Sequence, residues 1–294
     1  VDGDGDCDDC AGSYTFTNCN ESSVRNGPSD YDCYLVYGNS PDVDVYDGYQ
    51  YWVVPQSGLY TIEARGASGG KSDCCGYSYG GRGAIMIGDF NLEQGQTLKI
   101  LVGHKGEDNY YTGGGGGGTF VTDNNNNPLI IAGGGGGQFY SHDNRNYTDA
   151  TIDSYGQSSG YGSYGGNGGN GGGGSAYGAS GGGGLNGNGS DGYSSSTYGR
   201  AFTSYGYGGY GYYSSNAGDG GFGGGGGSLY YSFLNRYGSG GGGGYSGGAG
   251  GYGTSYSSST GYGGGGGSYN DGVNWNNSPG ANTGNGLVII SCNN

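Results

Sequence analysis

Positive charge is scarce in this sequence. Nine lysines and arginines stand against 24 aspartates and glutamates, for a formal net charge of −15. Gripping a phosphate backbone needs clustered Lys and Arg, so nucleic acid is excluded as a partner. Long apolar runs are missing too. No window approaches the ~18 consecutive apolar residues of a membrane-spanning helix, and no membrane insertion is expected. Proline is limited to five residues. No Gly-X-Y period accompanies the glycine, which excludes collagen. Histidine occurs twice, as His104 and His142, and both read as satisfied surface residues. No HExxH or GxSxG context surrounds them, so no catalytic group is nominated and the chain reads as a non-enzyme. No segment shows helical periodicity bounded by caps.

What is present is glycine and tyrosine: 82 and 33 of 294 residues. Hydrophobic residues make up only 31%. The net acidity is concentrated at one end. Residues 1–47 hold 11 acids and one base, Arg25, whereas residues 154–294 hold Asp191, Asp219 and Asp271 against Arg200 and Arg236. The glycine-rich part is therefore nearly neutral, and neutral, aromatic-rich surfaces associate more easily than charged ones.

The seven cysteines are Cys7, Cys10, Cys19, Cys33, Cys74, Cys75 and Cys292. Four crowd the first 33 residues, which favours a disulfide framework in an oxidising compartment. Cys7-x-x-Cys10 has zinc-ligand spacing, but no second pair follows it. An odd count leaves one thiol free or joined to another chain, and Cys292 is the candidate. A first residue that is Val rather than Met, with no signal-like stretch after it, fits a processed secreted chain. The sequons at Asn20, Asn146 and Asn188 suit N-linked glycosylation in the same compartment. At the N-terminus Asp2, Asp4, Asp6, Asp8 and Asp9 alternate with glycine. Hard carboxylate oxygens on a chain that can turn sharply are suited to Ca2+. The bidentate Glu of an EF-hand is lacking, and a solvated acidic arm explains the same residues.

Short β-rich runs punctuate the first half: Tyr14–Asn18, Gln50–Val54, Leu59–Arg65, Ala84–Ile87, Thr97–Val102, Thr119–Thr122 and Leu129–Ala132. One more, Leu287–Ser291, lies near the C-terminus. Each is bounded by Gly, Pro, Asn or Asp, the signature of strands. Eight or more short strands predict an all-β sandwich or jelly roll with essentially no α-helix. The last strand needs partners from the early sheet, because a lone strand is unstable. The chain thus divides into an acidic arm (1–13), a sandwich (14–132 with 287–294) and a glycine-rich insertion (133–286).

Glycine runs punctuate the insertion: Gly133–Gly137, Gly171–Gly174, Gly181–Gly184, Gly223–Gly227, Gly240–Gly244 and Gly263–Gly267. Gly113–Gly118 precedes it and contributes. A poly-glycine sheet has no side chains to pack and loses much entropy. The polyproline-II conformation, at three residues per turn, is the alternative. Its N–H and C=O groups must then bond to neighbouring rods. Side-chain-free rods can approach from every side, so a bundle of polyglycine-II helices is expected, with tyrosines covering its ends.

The stretches Thr15–Cys19 (TFTNC), Gly27–Cys33 (GPSDYDC) and Tyr49–Lys71 (YQYWVVPQSGLYTIEARGASGGK) resemble a known extracellular module. Phe90–Glu107, Gly113–Val121 and Pro128–Gly137 continue the match. The family is the glycine-rich extracellular domain of the anaplastic lymphoma kinase and leukocyte tyrosine kinase receptors. The resemblance implies a tumour-necrosis-factor-like jelly roll carrying polyglycine-II helices, and pairing of Cys19 with Cys33. It does not transfer receptor function, because a shared fold does not give a shared role.

Gly69–Ser72 (GGKS) imitates a phosphate loop, but Arg65 stands where its first glycine belongs. The expected function is a secreted, non-catalytic structural protein that polymerises with copies of itself into a filament, sheath or matrix. The alternative is an ectodomain module that binds a small protein partner. A third class, carbohydrate or ice binding, suits flat polar arrays on rigid rods.

Overall fold

A computed structural model describes residues 12–19, 24–38, 43–74, 79–140, 145–160, 163–212, 216–254 and 260–293. The fold is all-β. The strands are β1 (Ser13–Phe16), β2 (Val43–Tyr46), β3 (Tyr49–Val53), β4 (Gly58–Arg65), β5 (Gly83–Leu92), β6 (Thr97–Leu101), β7 (Thr119–Asp123) and β8 (Pro128–Ala132), followed by β9 (Leu229–Tyr231), β10 (Arg236–Gly238), β11 (Tyr269–Asn270), β12 (Ser278–Asn282) and β13 (Leu287–Asn293). They form three antiparallel sheets, ordered β1-β13-β4-β5-β12, β11-β8-β7-β6-β3-β2 and β10-β9. Every run expected to be a strand is one. β13 lies between β1 and β4, joining the C-terminus to the N-terminal sheet.

The two larger sheets pack face to face. Phe16, Tyr60, Ile62, Met86 and Val288 of the five-stranded sheet share one buried cluster with Trp52, Leu98 and Ile130 of the six-stranded sheet. Their positions alternate along each strand, as a period of two requires. The other face of the six-stranded sheet is also covered. Tyr49, Leu101, Phe120 and Ile131 pack against Leu185, Phe202 and Phe222 from the glycine-rich segment. Three large apolar residues thus anchor a segment with few of them.

One helix of eight residues departs from the expectation of essentially none: α1 (Asp30–Tyr37). Its start is a capping box. The Asp32 carboxylate accepts from the Ser29 N–H at 2.8 Å, and the Ser29 hydroxyl accepts from the Asp32 N–H. Aspartate takes the place of the usual Glu or Gln. No apolar stripe announces this helix; only Cys33 is buried, in a disulfide to Cys19. The Tyr37 hydroxyl ties its far end to Gln50 of β3 at 2.9 Å. A second, single-turn helix is α2 (Arg145–Thr148).

The glycine runs have neither strand nor helix hydrogen bonding. Several of them bond to neighbouring segments with a period of three. In Gly113–Gly118 the N–H groups of 113 and 116 donate to the carbonyls of Gln138 and Gly135. Those of 114 and 117 donate to Glu107 and His104, and those of 115 and 118 to Gly226 and Gly223. Gly240–Gly244 repeats the pattern: 240 and 243 donate to Gly113 and Gly116, and 241 and 244 to Ser180 and Gly183. Gly242 and Tyr245 donate to Gly264 and Gly267. Each third residue returns to the same neighbour, and the acceptors also step by three. Strands repeat every two residues and α-helices every 3.6.

The boundary between sandwich and insertion is less sharp than the sequence suggests. Early segments join the network too, since Ala67 and Gly70 donate to Gly117 and Gly114. Late residues join the sheets, with β11 on β8 and β12 on β5. The runs are continuations of strands beyond the sheets: Gly113–Gly118 leads into β7, and Gly133–Gly137 leaves β8.

Both runs are fully buried. A Cβ at almost any run glycine would overlap a neighbouring backbone carbonyl oxygen. At Gly242 that oxygen belongs to Gly134. At Gly173, by contrast, the nearest atom lies 3.1 Å away. Gly242→Ala is therefore expected to lose about 1–3 kcal/mol or more of stability by overpacking. Gly173→Ala should stay within roughly 1 kcal/mol of the parent, because alanine also restricts the unfolded chain. Thermal unfolding of the two variants side by side checks this.

Candidate functional surfaces

The proposed calcium ligands Asp2, Asp4, Asp6, Asp8 and Asp9 lie outside the described residues, as do Cys7, Cys10, Cys75, Asn20 and His142. Cys19 and Cys33 form a disulfide with Cα atoms 4.9 Å apart. Cys74 and Cys292 are disulfide-bonded as well, so Cys292 is not the unpaired thiol. Asn146 is exposed on α2, and Asn188 is exposed in a loop. The Asn188 side-chain carbonyl accepts from the Ala201 N–H at 2.8 Å.

His104 is a correction. It is buried rather than on the surface. Its backbone N–H donates to Phe222, its carbonyl accepts from Gly117, and its ring nitrogen Nδ1 meets the Lys105 carbonyl at 2.8 Å. It sits where the sheet hands over to the glycine network, so burial follows from its backbone role. Among the described residues, no three His, Cys, Asp or Glu side chains converge as metal ligands would.

The scarce cations have particular uses. Arg25 lies 3.0 Å over the Tyr210 ring, and Arg236 lies 4.4 Å over Tyr177 and 4.9 Å over Tyr193. Lys99 sits 4.0 Å over Tyr49 and 4.9 Å over Phe202. Partial burial pulls the Lys99 pKa down. A cation held against an aromatic face is stabilised by the ring quadrupole, more so where water is reduced. Composition gave no hint of this use, because each pair is distant in sequence.

Three other cations surround one cavity of about 460 Å³, lined by Gly69, Lys71, Tyr79, Arg82, Lys105 and Asp108 among others. The phosphate-loop imitation thus lies at a cavity wall. Each cation is offset locally: Lys71 by Asp73 at 2.8 Å, Arg82 by Asp149 at 2.7 Å and Lys105 by Asp108 at 2.5 Å. A second cavity, of about 420 Å³, lies between α1 and β2, where Asp30, Asp44, Tyr34 and Tyr37 face it.

Among the exposed large apolar side chains, tyrosine is the most frequent. Tyr147, Tyr155, Tyr164, Tyr177, Tyr205 and Tyr210 are all about half exposed or more. Many rings pair, as Tyr205 does with Tyr207 at 5.6 Å and Tyr147 with Tyr262 at 5.5 Å.

No family model matches the chain. A similarity to a receptor covers part of it. Over 103 residues, 33% of the chain, it is 36% identical to the leukocyte tyrosine kinase receptor of Mus musculus. The matched region is 11% of that receptor's length. The chain therefore spans a small fraction of that receptor's length. This similarity, the Cys19–Cys33 disulfide and the all-β fold are compatible with an extracellular protein. Among the described residues, no helix is long and apolar enough to cross a membrane.

Buried phenols give the structure an alkaline limit. Burial, and then the neighbouring Tyr51, push the Tyr49 pKa far up. Its hydroxyl donates to the Phe202 carbonyl. Burial raises Tyr37, Tyr60 and Tyr262 in the same direction. An unfolded phenol ionises near pH ~10, while the folded ones keep their protons. Their contribution is complete below that pH and is lost as pH rises through the folded values. Absorbance at a phenolate wavelength should therefore show a group of tyrosines ionising late and steeply, together with loss of tertiary structure. Tyr49→Phe should move that transition to higher pH.

Proposed function

We propose that this chain is a secreted, non-catalytic structural protein whose copies assemble into an extracellular filament, sheath or matrix. The observation that carries the reading is a buried glycine lattice whose outer surface is nearly uncharged and studded with exposed tyrosines. Rigid tyrosine side chains supply contact area at low entropic cost. Few charges on that half oppose association. Contacts between unlike patches of successive copies propagate without closing. The threefold hydrogen-bond pattern supports reading the runs as polyglycine-II rods. The two packed sheets support the jelly-roll reading. The acidic arm, with Asp2 to Asp9, is proposed to bind Ca2+ at contacts between copies, and Asn146 and Asn188 to carry glycans on exposed ground.

A second reading is supported by the partial similarity to a receptor ectodomain. Here the chain is a module that binds a small protein partner at fixed stoichiometry. Electron microscopy of native material, with and without a calcium chelator, separates the two. Long regular filaments are expected, shortening or dissociating on chelation. Filaments indifferent to chelation would remove Ca2+ from assembly but keep the polymer. Dispersed single particles at micromolar concentration would favour the binding module.

A further inference from the structure

The chain has two tryptophans, and they are treated oppositely. Trp52 is wholly buried in the sandwich core, whereas Trp275 is 64% exposed. The loop carrying Trp275 is tightly held. Val273 and Asp89 exchange both backbone hydrogen bonds, at 3.0 and 2.9 Å. The Asn270 side chain donates to the Ile87 carbonyl at 2.9 Å and accepts from the Gly272 N–H at 3.0 Å. The Asn277 side chain accepts from the Ile87 N–H at 3.1 Å. Asn274, just before the tryptophan, has a φ of 54°, a left-handed conformation that asparagine adopts more readily than most residues. The Trp275 indole N–H donates to the Gly272 carbonyl. The ring's one polar atom is therefore used within the loop. What the ring offers outward is an apolar aromatic surface at fixed orientation.

A row of mostly polar residues ends at Val273, two residues before Trp275. Ser13, Ser291, Thr61 and Asp89 are successive cross-strand partners in the five-stranded sheet, and an isolated bridge adds Val273 beyond Asp89. They alternate with the buried residues Tyr60, Ile62 and Ile290, which places the row on the outer face. Four intervals at the strand spacing give it a length of roughly 19 Å. The side chains are mutually bonded. Thr61 donates to Asp89 Oδ1 at 2.5 Å, Asn274 donates to Asp89 Oδ2 at 2.8 Å, and Asn293 donates to Thr61 at 2.7 Å. Ser13 and Ser291 hydroxyls lie 3.1 Å apart. A carboxylate holding one donor on each oxygen keeps lone pairs for more.

We propose that this face binds a neutral oligosaccharide, with one pyranose stacked on Trp275 and its hydroxyls bonded to Asp89 and Asn274. A pyranose presents an apolar C–H face and a rim of hydroxyls. It therefore matches a fixed aromatic surface beside a carboxylate, an amide and a line of hydroxyls. A charged ligand has less to meet here, because Asp89 is the one ionised group in the row. The inference goes beyond the structural role proposed above and does not depend on polymer formation.

The test uses the full chain with soluble hexasaccharides of β-1,4-linked glucose, β-1,4-linked N-acetylglucosamine and α-1,4-linked glucose. Trp52 is inaccessible, so acrylamide quenches Trp275 emission selectively. At least one hexasaccharide is expected to protect that emission saturably, with Kd about 1 mM or tighter. By calorimetry, Trp275→Ala should weaken binding by roughly tenfold or more, and Trp275→Phe should retain most of it. Both variants are expected to melt with the parent. Asp89→Asn should weaken binding without abolishing the protection. Absence of protection by all three saccharides overturns the proposal, as does equal binding by Trp275→Ala. Protection by a lysine-rich peptide alone, lost with salt, or by raised protein concentration alone, also overturns it.

Discussion

The structure depends on backbone hydrogen bonds between glycine runs. Each such bond contributes only about 1 kcal/mol net, but an unmade one in a buried place costs about 1–3 kcal/mol. Gly113–Gly118 and Gly240–Gly244 are buried, so their N–H groups must all be answered. Period three answers them by sending donors in three directions, to three neighbouring segments. A β-ladder sends them in two. The price is glycine's backbone entropy, offset by the number of neighbours each run satisfies at once. Omitting Cβ also lets Cα–H groups point at carbonyl oxygens, a weak additional attraction.

Such a lattice cannot stand alone, because it buries little apolar surface. The sandwich supplies the missing term. One face of the six-stranded sheet closes the sandwich core, and the opposite face receives Leu185, Phe202 and Phe222. Lys99 under Tyr49 and Phe202 seals the edge of that second layer. The strands also set the direction of the runs, since β7 and β8 extend directly into them.

Much of this was legible in the sequence. The strand runs stood out because short β-branched stretches between glycines have one physical reading. That the glycine runs would bond to one another was legible by elimination, since sheet, helix and collagen each fail on side chains or period. The Cys19–Cys33 pair came with the family resemblance. Other features were hidden for identifiable reasons. Helix α1 has no apolar stripe and is fixed by a local aspartate cap and a disulfide. β12 (SPGAN) carries Pro and Gly, which weaken any strand reading, yet an edge position tolerates them. His104 looked like a surface residue because its burial is imposed by glycine segments far away in the chain. The exposure of Trp275 follows from side-chain bonds to β5, which no linear pattern encodes.

The threefold routing of donors has a consequence for how such a chain can change length. One glycine added within Gly113–Gly118 moves every donor beyond it on to the next of the three neighbours. Donors that met Glu107 and His104 would then face other segments, and no side chain is present to absorb the error. Two glycines misdirect the run the other way. Three restore every direction. Insertions and deletions that survive in these buried runs should therefore come in threes, while the tyrosine-bearing connectors outside the lattice are free to vary by one.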